Sequence, residues 1–319
     1  MQKRIRAGSG DKSRKKPSEY ERKAIHAVHA WKNPQIGWFG KAWETINWPL
    51  SKASTAIEKM PGFKWAKAKG KAPIEWVLQK TVGGLVTLLN DAAQWSVRPK
   101  AIYSDFAKSG IDVKSRSDIF DLDLEQIDRA LGWLDVKYKS IAAAEGGTTG
   151  AAGLPGIPVD IVAIVGINLR AIGEYATYCG FDVSAQSERL FAMNVLALAS
   201  SPTDSAKQAA LAQLVRIAKD VAAKKAWKKL EEHSFVNIVK KIAAALGQRL
   251  TKAKLAQVIP YLGAGVGVGF NTYFTAKVCE AAFFLYRERF LAEKYGPDII
   301  EQTVKAAESF SFSDDTDEA

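Results

Sequence analysis

The chain has little of what most catalytic and metal-binding schemes require: two cysteines, Cys179 and Cys279, and three histidines, His26, His29 and His233, in 319 residues. Neither cysteine has CXXC spacing or an adjacent histidine, and each falls in helical pattern far from the other. A disulfide framework and a thiol nucleophile are therefore both unsupported, and a reducing compartment is the natural reading. His26 and His29 stand three apart, a spacing that can present two imidazoles to one ion, but no third ligand is near and HEXXH is absent, so no metal is expected. His233 follows Glu231 and Glu232 at a helix boundary and reads as solvated. The nucleotide loop G-x-x-x-x-G-K-[ST] is missing, and GAGVGVG at 263–269 lacks both its Lys and a preceding strand. The esterase elbow G-x-S-x-G is missing too. Strand-like alternation is almost absent, as is any solenoid repeat. The opening MQKRIRAGSGDKSRKKPSEY has charge but no signal-type apolar run, and secretion is not expected. No cofactor is expected, and the chemistry leans away from an enzyme.

What is present is ordinary globular composition, 47% apolar and 25% charged, in a chain long enough to bury a sizeable core. The distribution of charge is less ordinary. Residues 1–70 hold sixteen Lys and Arg against five Asp and Glu, a balance of +11 that equals the net charge of the whole chain. A neutral body with a basic arm suits a partner of negative surface, a bilayer or a nucleic acid.

Along the chain, residues 1–18 have the composition of a disordered basic arm. Residues 19–71 form a Trp- and Lys-rich extension, with Trp31, Trp38, Phe39, Trp43, Trp48 and Trp65 among Lys32, Lys41, Lys52 and Lys64, cut into short amphipathic helices by Pro and Gly. Indoles and ammonium groups together favour a water–lipid boundary, so these residues are the candidate membrane-docking set. The competing reading is a helical hairpin that packs its Trp onto the body. Lys interleaved with aromatics also tracks single-stranded nucleic acid, but no helix-turn-helix, zinc-finger or RNA-recognition signature supports that reading.

Residues 72–307 read as an all-α, multi-helix bundle. Helical spacing runs through Ile74, Val77, Leu78, Leu85 and Leu89, then Ile102 and Phe106, then Ile119 to Leu131. AAAEGGTTGAAGLPG at 142–156 reads as a flexible connection, with the next helix starting near Pro158 and stopping at Cys179 and Gly180. Ser184 is an N-cap candidate for a central apolar helix. Residues 308–319 form an acidic tail.

Residues 258–276, VIPYLGAGVGVGFNTYFTA, carry no formal charge over nineteen positions and form the Gly-rich apolar part of a C-terminal helical hairpin. Gly263 with Gly267 and Gly265 with Gly269 have the small-residue spacing of close helix contact or insertion, with Asn271 inside the same run. A buried turn that uses Gly for backbone proximity explains the same letters without lipid, and is the preferred reading. Asp160, Arg170, Glu174 and Asp182 lie around an apolar helix as candidate ligand or polar-cluster residues facing this segment. Internal ion pairs and caps are the plainer account of them. Glu188 and Arg189 read as a dipole partner and a surface or interhelical pair.

Three blocks in order, LPGIPVDIVAIVGINLRAIGEYATYCGFD at 154–182, SERLFAMNVLALAS at 187–200 and IPYLGAGVGVGFNTYFTAKVCEAAFFLYRERFLAEKYG at 259–296, resemble the EcsC family of bacterial proteins. The resemblance spans 74–296 and includes Pro155, Pro158, Asp160, Gly180, Asp182, Glu188, Gly263, Gly267 and Asn271. It implies a helical protein acting near membranes, named for a component encoded beside an ABC-type transporter, with no assigned reaction. The expectation is a non-enzymatic protein held peripherally on the cytoplasmic side of the inner membrane by anionic lipid. A transporter-subunit partner, or an enzyme on a lipid or hydrophobic substrate drawing on Asp160, Glu174 and Asp182, are the alternatives.

Overall fold

The periodicities above are realised as helices in a computed structural model, which describes residues 16–32, 73–91, 97–149, 153–201, 204–222, 232–257 and 270–300. These residues form eleven helices and no strand: α1 Glu19–Lys32, α2 Pro73–Asn90, α3 Pro99–Lys108, α4 Arg116–Ile119, α5 Leu124–Leu131, α6 Leu134–Thr149, α7 Gly153–Tyr178, α8 Gln186–Ala199, α9 Asp204–Ala222, α10 Glu232–Gln257 and α11 Phe270–Tyr295. The basic arm before residue 16 and the acidic tail lie outside the described residues.

Helix ends follow local chemistry. The Gln126 side chain reaches back to accept from the Asp123 N–H at 2.9 Å, and Asp118 does the same for Ser115 at 3.0 Å, so donors left over at the starts of α5 and α4 are satisfied. Gly180 closes α7 with φ +83°, where a side chain would be strained and would also run into the Phe120 ring.

Two expectations need correction. The described parts of 142–156 are helical: α6 continues to Thr149 and α7 begins at Gly153, five residues before Pro158, while 150–152 lie outside the described residues. The Ala-rich composition is helix-forming, Ala142 is fully buried, and Pro155 falls in the first turn, where the missing N–H has no partner to lose. Ser184 is not the cap of α8, whose N-cap is Ala185; the Ser184 N–H is taken by Asp182 Oδ1 at 2.9 Å in a turn before the helix.

Helices α7 and α11 are the hub. α7 packs against α2, α3, α5, α6, α8, α10 and α11, and α11 against α1, α5, α6, α7, α8 and α9. Asp160 meets Asn271 at one end while Phe181 meets Tyr286 at the other, so the two helices run parallel. α7 is, among the described residues, the one helix apolar and long enough to cross a membrane, but most of it is buried inside the bundle. That burial, not lipid, accounts for most of its apolar face.

Candidate functional site

At the start of α11, four helices deliver polar side chains to one point. The Lys254 ammonium on α10 meets Asp160 Oδ2 on α7 at 2.5 Å and donates to Asn271 Oδ1 at 2.6 Å. Asn271 Nδ2 donates to Glu145 on α6 at 2.6 Å and to Asp160 Oδ1 at 3.3 Å. Asp160 and Asn271 are 5% and 4% exposed, so these groups have exchanged water for one another. The amide offers a donor on one atom and an acceptor on the other, and here the carboxylates accept while the ammonium donates, which fixes the orientation of Asn271. The close approach requires Gly146: a Cβ there would stand 2.9 Å from Asn271 Nδ2. The Phe270 ring lies 5.1 Å from the Lys254 nitrogen and screens it from solvent.

Asp160 and Asn271 were candidates from sequence; Glu145 and Lys254 were not. Glu145 is the one charged residue in 142–156, and Lys254 extends the buried stripe Val239, Ala243, Leu246, Leu250 by one more turn. Both signals were there to be read as charges placed on an inward face.

The other polar candidates lie elsewhere. Glu174 sits fourteen residues along α7 from Asp160, about 21 Å away, and takes Lys137 at 2.6 Å with Arg170 at 3.9 Å. Asp182 is exposed and faces Arg116 at 3.4 Å. Partial burial works against its charge, yet the hydrogen bonds from Ser184 hold its carboxyl below the ordinary value. The four candidates thus fall into three separate pairings, the plainer account of them as ion pairs, because positions spread along a long helix meet different neighbours.

A second ionic site lies toward the other end of α11, where Arg287, Glu288 and Arg289 are all buried. Arg289 forks onto Glu188 with two bonds of 2.6 Å, its guanidinium 4.0 Å from the Phe181 ring centre and 4.3 Å from that of Phe191. Burial alone would loosen the Arg289 proton, but Glu188 more than compensates and raises the pKa. Arg287 donates to Asp128 at 2.6 Å, which also accepts the Tyr20 hydroxyl at 2.7 Å. Glu188 thus pairs across the bundle with Arg289. Three charges in succession on an apolar helix were the overlooked signal: neighbours project about 100° apart, so only a helix enclosed on most sides can bury all three.

The third charge bears on two docking candidates. Lys32 is 2% exposed and bonds Glu288 at 2.5 Å, while Trp31 stacks on Phe284 with ring centres 5.1 Å apart. At the other end of α1, Glu21 accepts the Tyr295 hydroxyl at 2.6 Å and pairs with Lys294 at 3.1 Å. α1 is clasped to α11 from end to end, which takes Lys32 out of the docking set and leaves Trp31 half-buried against Phe284. Trp38, Phe39, Trp43, Trp48, Trp65, Lys41, Lys52 and Lys64 lie outside the described residues, as do Gly263, Gly265, Gly267 and Gly269.

The two cysteines are buried and not paired with one another. Burial pushes the Cys279 thiol up to about 12 and Cys179 well above the ordinary thiol range, so neither is a thiolate at neutral pH. Among the described residues no three His, Cys, Asp or Glu side chains converge as metal ligands.

With this geometry in place, comparison with known proteins is informative. The pattern that defines the EcsC protein family matches residues 21–291, and so takes in α1 as well as the bundle. Protein EcsC of Bacillus subtilis (strain 168) is 28% identical over 166 residues, which cover 50% of this chain and 62% of that protein. The uncharacterized protein YdbA of the same organism is 25% identical over 229 residues, 68% of this chain and 79% of its own length. No solved structure matches significantly.

Proposed function

The chain belongs to the EcsC protein family, and from that premise we propose that it is a non-enzymatic helical protein that associates peripherally with the anionic cytoplasmic face of a membrane. The observation that carries the reading is the segregation of charge: residues 1–70 hold a balance equal to the +11 of the entire chain. The fold sharpens where that charge is usable. α1 packs on the body, so the usable charge lies in the arm 1–18, with seven Lys and Arg against one Asp, and in 33–72, with seven Lys, two Glu and four Trp. A cation near an anionic leaflet contributes about 1 kcal/mol, so the five uncompensated Lys of 33–72 supply about 5 kcal/mol before any indole burial. The ionic clusters support the same reading, since their charges face one another and do not line an open reaction site.

Flotation with vesicles tests it. Full-length protein is expected to rise with vesicles of phosphatidylcholine and phosphatidylglycerol, to bind less as salt rises, and to lose most binding when Trp38, Trp43, Trp48 and Trp65 are all changed to Ala. Equal binding to vesicles of phosphatidylcholine alone, or undiminished binding by the four-fold variant, would overturn it.

A further inference from the structure

The surface of the bundle is unevenly apolar. Five large apolar side chains are exposed among the described residues, and four lie on the α6–α7 hairpin or immediately before it: Trp133 (81%), next to the start of α6, Val136, Ile141 and Val159 (66%). The fifth, Tyr20, is anchored by its hydroxyl on Asp128. A solvent-facing helix normally shows charged and polar side chains, as α2 does with Glu75, Gln79, Lys80 and Asn90 on its outer side. The exposed arc of α6 instead runs Val136, Lys137, Ser140, Ile141, Ala143, Ala144 and contains no carboxylate. On α7 no charged residue is exposed from 155 to 169; Asp160 turns inward, and Arg170 is the first to emerge.

The pairing of Lys137 with Glu174, together with the approach of Glu145 and Asp160 to the same Asn271 amide, sets the two helices antiparallel, with Ile141 level with Arg170 and Val159 toward the tip. The charges exposed on the face are the cations Lys137 and Arg170, whose shared carboxylate Glu174 is buried; Asp135, on the flank, is paired with Lys139 at 2.7 Å. The same tip adjoins the start of α11: Lys254 and Asn271, which bracket residues 258–269, both bond Asp160 beside Val159. An apolar arc that carries cations, no exposed carboxylate and an indole at its edge is complementary to an anionic lipid interface and poorly suited to water.

We propose that the outer face of the α6–α7 hairpin is a second contact with the anionic bilayer, seating the body itself on lipid with the Trp133 indole at headgroup depth. The proposal rests on the membrane reading above but not on the Lys- and Trp-rich segment. Because most of α7 is enclosed by the bundle, the contact is one of lying on the interface, not of crossing it.

The test uses the full chain with a single introduced thiol, Val159→Cys, carrying a polarity-sensitive fluorophore, and Gln79→Cys on α2 as its counterpart; the native thiols are buried and do not compete for label. With phosphatidylcholine–phosphatidylglycerol vesicles the label at 159 is expected to shift to the blue and the label at 79 to stay unchanged. In unlabelled protein, Trp133→Asp with Val159→Asp is expected to weaken partitioning at least about tenfold with helicity unchanged by circular dichroism. Vesicle binding with a silent label at 159 overturns this contact and leaves the membrane reading standing. Absence of any vesicle binding overturns both. A blue shift that appears on concentrating the protein without vesicles assigns the face to a second copy of the chain and overturns the lipid contact.

Discussion

The two ends of α11 handle buried charge in different ways. Toward its C-terminus each charge has a counter-charge of its own: Arg289 with Glu188, Arg287 with Asp128, Glu288 with Lys32. At its N-terminus one neutral side chain, Asn271, bridges an ammonium and two carboxylates. The first arrangement is a set of matched pairs that fixes helices in place. In the second, Lys254 pairs directly with Asp160, and the Asn271 amide accepts from that ammonium and donates to both carboxylates, so one cation and one neutral side chain serve two like charges. Matched pairs suit a permanent lock; a bridged group suits the end of the bundle where the uncharged segment 258–269 begins and ends.

Breaking a matched pair is expected to have the largest effect. Arg289→Met strands the Glu188 carboxylate among aromatic rings and should cost about 3–5 kcal/mol in urea unfolding, whereas adding Glu188→Leu to it should restore most of the loss, because the stranded charge is then gone. At the bridged end, Asn271→Asp sets a third carboxyl against two. Its cost should be about 2–4 kcal/mol at neutral pH and fade toward pH 4, because the new carboxyl titrates above its unfolded value and the penalty disappears once both states bind the proton. Gly146→Ala pushes a methyl into the Asn271 amide and should cost about 1–3 kcal/mol, with no counterpart at the other end. The smallest effect concerns α1. Burial opposes the Glu21 charge, but Tyr295, Ser18 and Lys294 hold its pKa below the ordinary value, so its contribution is present above the unfolded pKa and is lost as pH falls through the folded one. Glu21→Gln should therefore lower stability at neutral pH, by less than the changes above, and flatten the acid limb of the profile, because the two proteins converge once Glu21 is protonated. Equal acid limbs in the two proteins would show that Glu21 does not tie α1 down.

Much of the fold was legible because burial leaves a periodic trace. The apolar spacing from Ile74 to Leu89 is α2, Ile102 and Phe106 are the buried side of α3, and Gly180 stops α7 as its backbone requires. The pairings were not legible, since Asp160 and Asn271 stand 111 residues apart and Glu188 and Arg289 stand 101 apart. Periodicity says that a side chain faces inward; it does not say what waits there. Trp31 and Lys32 illustrate the limit, because an indole beside an ammonium suits a headgroup layer, but also suits a pocket lined by Phe284 and Glu288. The 142–156 stretch misled for another reason: small residues mark loops, but they also mark places where backbones must come close, and Gly146 is one.

The alternation Arg287, Glu288, Arg289 against Asp128, Lys32 and Glu188 has a consequence for the chain's alignment. Insert one residue upstream in α11 and its pattern shifts by a single place: an Arg meets Lys32 and a Glu meets Glu188, two repulsions where there had been two attractions. The helix is keyed, as a lock reads a key cut by cut, and sliding it one notch is penalised in sign as well as in fit.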